Sequence, residues 1–110
     1  MMFPKVRRII DKQGMKKVKE IDHCERCGSR NNLETAHVYG KGARGPDIKE
    51  NCLKLCGPAC CFAGCHGADH LGHISDDELF GIIAAREEKP LEVIKEIAHG
   101  AWRFGIYESS

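Results

Sequence analysis

The chain has 110 residues, a formal net charge of +1, 30% charged and only 6% aromatic residues, and seven cysteines. That length suits one domain whose modest core leaves a thin margin of stability, the situation in which small proteins add a metal staple. No run approaches the ~20 apolar residues of a membrane span; residues 1–10 have three basic residues and a proline and no apolar segment of a secretory signal, so a cytosolic location with reduced thiols is expected.

Charge is spread unevenly. Residues 1–54 hold 13 Lys/Arg against 7 Asp/Glu, and residues 55–110 hold 4 against 9, so the first half suits a polyanion. Residues 1–19 carry Lys5, Arg7, Arg8, Lys12, Lys16, Lys17 and Lys19 against a single Asp11. Val6, Ile9 and Ile10 give a short apolar stripe that breaks at Gly14. This stretch reads as a basic N-terminal arm, either contacting phosphates or solvated as a tail. Val18 to Ile21 reads as a short strand or helical turn. His23, adjacent to Cys24, is expected to be structural or to face solvent.

All seven cysteines fall between positions 24 and 65, and an odd number argues for metal ligation over a disulfide set. In Cys24-Glu25-Arg26-Cys27-Gly28 two residues separate two thiols, so both sulfurs can reach one ion, and Gly28 permits the positive φ such a knuckle often needs. Ser29 to Asn32 is a polar loop. Leu33 to Tyr39 has the β-branched and aromatic content of a strand. Residues 40–46, with three glycines, Pro46, Lys41 and Arg44, form a turned loop. Asn51 to Leu55 alternates polar and apolar residues and reads as a second strand, making a hairpin with the first. Residues 56–65 are an irregular loop holding Cys60 and Cys61. His66 and His70 then stand at i, i+4, the spacing that puts two imidazoles on one helix face, a metal-binding arrangement.

Ser75 and Glu78 form a capping box for a helix running to about Glu88, with Leu79, Ile82, Ile83 and Arg86 along one face. Pro90 suits the first turn of a further helix. Leu91, Ile94, Ile97 and Ala98 stripe it, and it is expected to end near Gly100. Trp102, Phe104 and Tyr107 either pack back on the domain or form a partner surface.

The order Cys-x2-Cys, Ala36-His37-Val38, Asn51-Cys52-Leu53-Lys54-Leu55-Cys56, then Cys65-His66-x3-His70 resembles the HNH endonucleases, metal-dependent nucleases with a ββα-metal (His-Me finger) core. More narrowly it is similar to small zinc-containing HNH proteins common in phage genomes. The resemblance spans roughly residues 20–73 and implies roles by position. His37 would be the general base that activates water for attack on a phosphodiester, a task suited to an imidazole near neutral pH. Asn51 would hold the loop and so orient His37. His66 and His70 would bind a catalytic divalent ion, Mg2+ or another. Lys41 and Arg44 would lie near the nucleic-acid backbone. A structural Zn2+ would be held by Cys24, Cys27, Cys56 and Cys65, clamping both ends of the hairpin. Two departures stand out. Many relatives carry Asp or His where this chain has Ala36, a gap that Glu34, Asp69 or His73 can fill. Eight residues separate Cys56 from Cys65 where two are common, so Cys60 or Cys61 are alternatives to Cys65.

The expected fold is therefore α+β: a basic arm (1–19), a zinc-stapled HNH core (20–73) and a C-terminal helical extension (74–110). The expected activity is a divalent-metal-dependent DNA endonuclease. A non-catalytic zinc module binding nucleic acid or a protein is the second reading, and a thiol redox protein built on Cys24 and Cys27 is a weaker third.

Overall fold

A computed structural model describes residues 9–40, 45–57 and 64–107. Lys41, Arg44, Cys60, Cys61 and the first eight residues of the basic arm lie outside the described residues. Within them the order is α1 (Lys12–Lys19), β1 (Leu33–His37), β2 (Cys52–Cys56), α2 (Gly64–His70), α3 (Asp76–Glu87) and α4 (Leu91–Phe104). The result is a small α+β fold with a two-stranded antiparallel sheet.

The expected hairpin forms in a register running from Leu33 opposite Cys56 to His37 opposite Cys52. Side chains alternate across a strand, so Ala36, Leu53 and Leu55 share one face. That face meets Leu79, Phe80 and Ile83 of α3 and Ile94 and Ala98 of α4 in the main core. Full burial of a leucine is worth about 1.5–3 kcal/mol, so this layer supplies most of the apolar stabilisation. His37 and Cys52 belong to the other face. There Cys52 packs with Met15 and Val18 of α1 in a second small cluster. All five residues of β2 are buried in spite of their polar and apolar alternation, because both faces are covered.

The expected break at Gly14 is corrected: a regular helix runs through it, with Gly14, Met15 and Val18 buried. The helix-propensity penalty of one glycine, about 1 kcal/mol, is outweighed by burying the apolar seam. Val18 belongs to the last turn of this helix and not to a strand. Its N-terminal end is tied to the loop before β2: Asp11 N donates to Asp47 O (2.8 Å) and Asp47 N donates to Ile9 O (2.8 Å).

The capping of α3 is as expected at one half of the box. Ser75 Oγ accepts from Glu78 N at 3.1 Å, while the Glu78 carboxylate turns instead to Arg26 Nε at 2.6 Å. The expected end of the last helix near Gly100 is also corrected. It continues to Phe104 and is closed by Gly105 in the left-handed region (φ 64°). Ala98 and Ala101 are buried on its inner side, so packing carries the helix past Gly100. Of the C-terminal aromatic residues, Trp102 stacks on Tyr39 with ring centroids 4.9 Å apart. Tyr107 reaches back to Asp11 and Glu50. Phe104 stays exposed.

Candidate metal centre and adjoining cleft

Cys24, Cys27, Cys56 and Cys65 converge, with one sulfur from each within 4.8 Å of the others. The knuckle turns at Gly28, whose φ is +82°, as its position after Cys27 predicts. Cys56 is the last residue of β2 and Cys65 sits at the start of α2, where Gly64 (φ +74°) lets the chain return so close that a Cβ would collide with the Cys56 and Gly57 carbonyls. Cys27 Sγ and Cys56 Sγ are 3.7 Å apart. Two sulfurs bound to one tetrahedral zinc at about 2.3 Å stand about 3.8 Å apart, so the spacing fits that ion. Four such sulfurs would hold one ion with no open position, the ligand set of a structural site.

The sulfurs are individually tuned. Burial pushes the Cys24 thiol up, but backbone N–H groups led by those of Cys27, Cys56 and Arg26 outweigh it and bring the value down to about 7. Burial pushes Cys65 up to about 12, against the pull of Arg26, whose Nη1 lies 3.7 Å from Cys65 Sγ. Burial also raises Cys56, which accepts from Cys65 N at 3.3 Å. Cys24 is only 1% exposed while Cys27 is exposed, so of this pair Cys24 is not the accessible thiol that exchange needs.

His66 and His70, both on α2, face each other with their Nε2 atoms 3.1 Å apart. Two imidazole nitrogens bound at about 2.0–2.1 Å to one ion are separated by about 2.9 Å at a right angle and about 3.3 Å at a tetrahedral angle, which brackets this gap. His66 Nδ1 lies 2.9 Å from Glu34 Oε1. When Glu34 accepts the Nδ1 hydrogen, Nε2 is left with its lone pair toward His70, an arrangement that accepts a hydrogen bond from His70 and equally orients metal-binding histidines. Glu34 was one of three candidates for the ligand missing at Ala36. It instead stands on the far side of the His66 ring, where it orients the ring. Asp69 is buried at 1% exposure and His73 lies beyond the helix.

His37 joins a different group. Its Nε2 is 2.5 Å from Asp47 Oδ1, and both side chains are about three-quarters buried (25% and 22% exposed). Cys52, directly across the hairpin, completes a cluster of three metal-ligand types within 4.8 Å. The 2.5 Å contact is a hydrogen bond, shorter than the about 2.9 Å or more between ligands of one ion, so the pair is a His–Asp dyad as it stands. His37 and Asp47 line a cavity of about 550 Å3 together with Thr35 and Lys12, Lys16 and Lys19 of α1, and neither His66 nor His70 lines it. Strand alternation explains the separation. Glu34 and His37 are three residues apart on β1 and point to opposite faces.

Asn51 is fully buried and hydrogen-bonds to the loop. Its Oδ1 accepts from Tyr39 N (2.8 Å), and its Nδ2 donates to Tyr39 O and Pro46 O (3.1 Å each). It thereby fixes both ends of the stretch that carries Asp47 up to His37.

Two groups escaped the sequence reading. One is Asp47, ten positions from His37 with no spacing rule to connect them. The other is the buried Glu25–Arg86 pair. Arg86 Nη1 lies 3.1 and 3.0 Å from the two Glu25 oxygens and donates to Cys52 O at 3.2 Å. The chain matches no protein-family model, no curated protein and no solved structure.

Proposed function

We propose that the chain is a zinc-clamped, divalent-metal-dependent nuclease of the HNH type, hydrolysing phosphodiester bonds in DNA. The observation that carries the reading is the His66–His70 pair, with facing nitrogens 3.1 Å apart and Glu34 orienting one ring. The pair lies on α2, next to a hairpin whose Leu33–Cys56 end is closed by four thiols and whose first strand ends in His37. His66 and His70 would hold a divalent ion, which would supply Lewis acidity toward a phosphate oxygen. As the general base, His37 acts through Nδ1, since Nε2 is held by Asp47. It faces a cavity that His66 and His70 do not line, so the reading requires a substrate that reaches both faces of the hairpin. Asp47 fixes the ring and stabilises its charged form once protonated. Asn51 acts through the loop as a positioning residue.

A second reading, a zinc module that binds nucleic acid without cutting it, is favoured by one specific observation. His37 faces a cavity that excludes His66 and His70. The two readings separate in one experiment. The purified zinc-loaded chain is incubated with plasmid and branched DNA and Mg2+, Mn2+ or Ni2+. The nuclease reading expects cleavage that falls on the order of 10²-fold or more in His37→Ala and in a His66→Ala/His70→Ala variant, with the zinc content of the cysteine site unchanged. DNA that is bound but left intact with every ion selects the second reading.

A further inference from the structure

The cavity over His37 has one wall that the site chemistry does not use. Lys12, Lys16 and Lys19 of α1 all line it. They stand at i, i+4 and i+7, so they form one row on one helix face. The row extends over about 10 Å; three successive phosphates of a strand span two steps of roughly 3.4 Å along the axis, a length that flexible lysine side chains cover. All three lysines are exposed. Of the acidic groups in the cavity, Asp47 is engaged by His37 and Glu20 pairs with Lys16 at 4.0 Å in a solvent-exposed contact. Exposed ion pairs are worth little, so a polyanion displaces that one easily.

The row is held at a fixed place relative to His37. Asp47 uses its carboxylate to hold the His37 ring and both of its backbone groups to hold the start of α1, through Ile9 and Asp11. Met15 and Val18 then seat the helix on β2 beside Cys52. One residue therefore sets the distance between a lysine row and an imidazole. This arrangement exceeds what a solvated basic helix requires.

We propose that the cleft between α1 and the hairpin is the backbone-binding site for a nucleic-acid strand, with Lys12, Lys16 and Lys19 on successive phosphates and His37 at the phosphodiester that enters deepest. The proposal rests on the nucleic-acid part of the reading above and not on cleavage. The described lining has no Phe, Tyr or Trp on which a base can stack, so recognition is by charge and tolerant of sequence.

The test is binding by the full zinc-loaded chain with no divalent ion added. Fluorescence anisotropy is read on a labelled single-stranded oligonucleotide and on its duplex, between about 50 and 200 mM salt. A Lys12→Ala/Lys16→Ala/Lys19→Ala variant is expected to bind at least about 10-fold more weakly at the lower salt. Its log Kd against log salt should flatten by about two to three units, since each phosphate contact carries roughly 0.7 on single strands and 0.9 on duplex. The matching arginine variant should restore affinity. Loss on either probe supports the cleft and names the form that enters it. The idea is overturned if the alanine variant binds both probes like the parent, or if removing Lys89, Lys95 and Arg103, which lie outside the cleft, weakens binding as much. Since nothing is cut under these conditions, a chain that binds through the cleft yet never cleaves would refute the nuclease reading alone.

Discussion

The two ends of the hairpin are closed by different chemistry. Where Leu33 pairs with Cys56, closure comes from four sulfurs drawn from three separate stretches of chain. Where His37 pairs with Cys52, it comes from neutral and charge-assisted hydrogen bonds of Asn51 and Asp47. An isolated two-stranded hairpin is marginal in water, so each closure matters. A metal-loaded sulfur end would depend on its ion and on deprotonated ligands. The loop end depends on burial and geometry and should not respond to chelation.

Two cysteines of β2 test this division most directly. Cys56→Ser removes a ligand, and zinc content is expected to fall from about one ion per chain to nearly none, with cooperative melting lost, because structural zinc binding is folding energy in small domains. Cys52→Ser changes the same residue type on the same strand face, at a site that is fully buried. It should keep its zinc and lose only about 1–3 kcal/mol for burying a hydroxyl. Equal zinc loss in both variants, read by elemental analysis, would erase the distinction between the ends.

Arg86 is the side chain that ties the ends together. It pairs with Glu25 inside the Cys24–Cys27 knuckle and donates to the backbone of Lys49 and Cys52 near the loop. Its side chain is 12% exposed and that of Glu25 5%. Glu25 also accepts from Lys54 N at 2.7 Å. Breaking a buried pair by deleting one partner leaves an uncompensated charge, so Arg86→Met should destabilise by about 3–5 kcal/mol in urea titrations. A loss below about 1 kcal/mol would mean that the ends are not coupled through this residue.

Asn51→Ala probes the loop end alone. It removes the partner of three backbone groups, two on Tyr39 and one on Pro46, and should lose on the order of 3 kcal/mol. Zinc should stay bound, because no sulfur is touched. Release of zinc from this variant would show that the loop end sustains the thiolate end.

The same contrast decides what could be read in the chain. Side chains in short pairs carry their geometry in their spacing, so the meeting of Cys24 with Cys27 and of His66 with His70 was legible, and so was Ser75 as a helix cap. The hairpin was legible because its strands are short and adjacent. The contacts at the loop end span long separations with no periodic signal. Asp47 meets His37 through a loop held by Asn51 and by the backbone of Ile9 and Asp11, and Arg86 meets Glu25 across 61 positions. Helix α1 itself was hidden by its composition. Seven basic residues in the first nineteen suggested an arm, while its fold depends on two apolar positions, Met15 and Val18, and on the face they cover.

The smallest expected effect lies at the C-terminal strap, where Tyr107 Oη lies 2.9 Å from Glu50 and 3.1 Å from Asp11. Burial, together with the two carboxylates, pushes the Tyr107 phenol well above its ordinary value. The folded chain therefore keeps this proton at pH values where the unfolded chain, with a tyrosine near 10, has lost it. Stability from this group is fully present below about pH 10 and declines as pH rises past that value. Tyr107→Phe should lose about 1–2 kcal/mol at pH 7, where buried Glu50 loses a donor, and the gap to the parent should narrow above pH 10. Urea midpoints of both chains across that range give the answer. A gap that stays constant or widens with pH would mean that the phenol is not held protonated by its carboxylate neighbours and that the strap is anchored by packing alone.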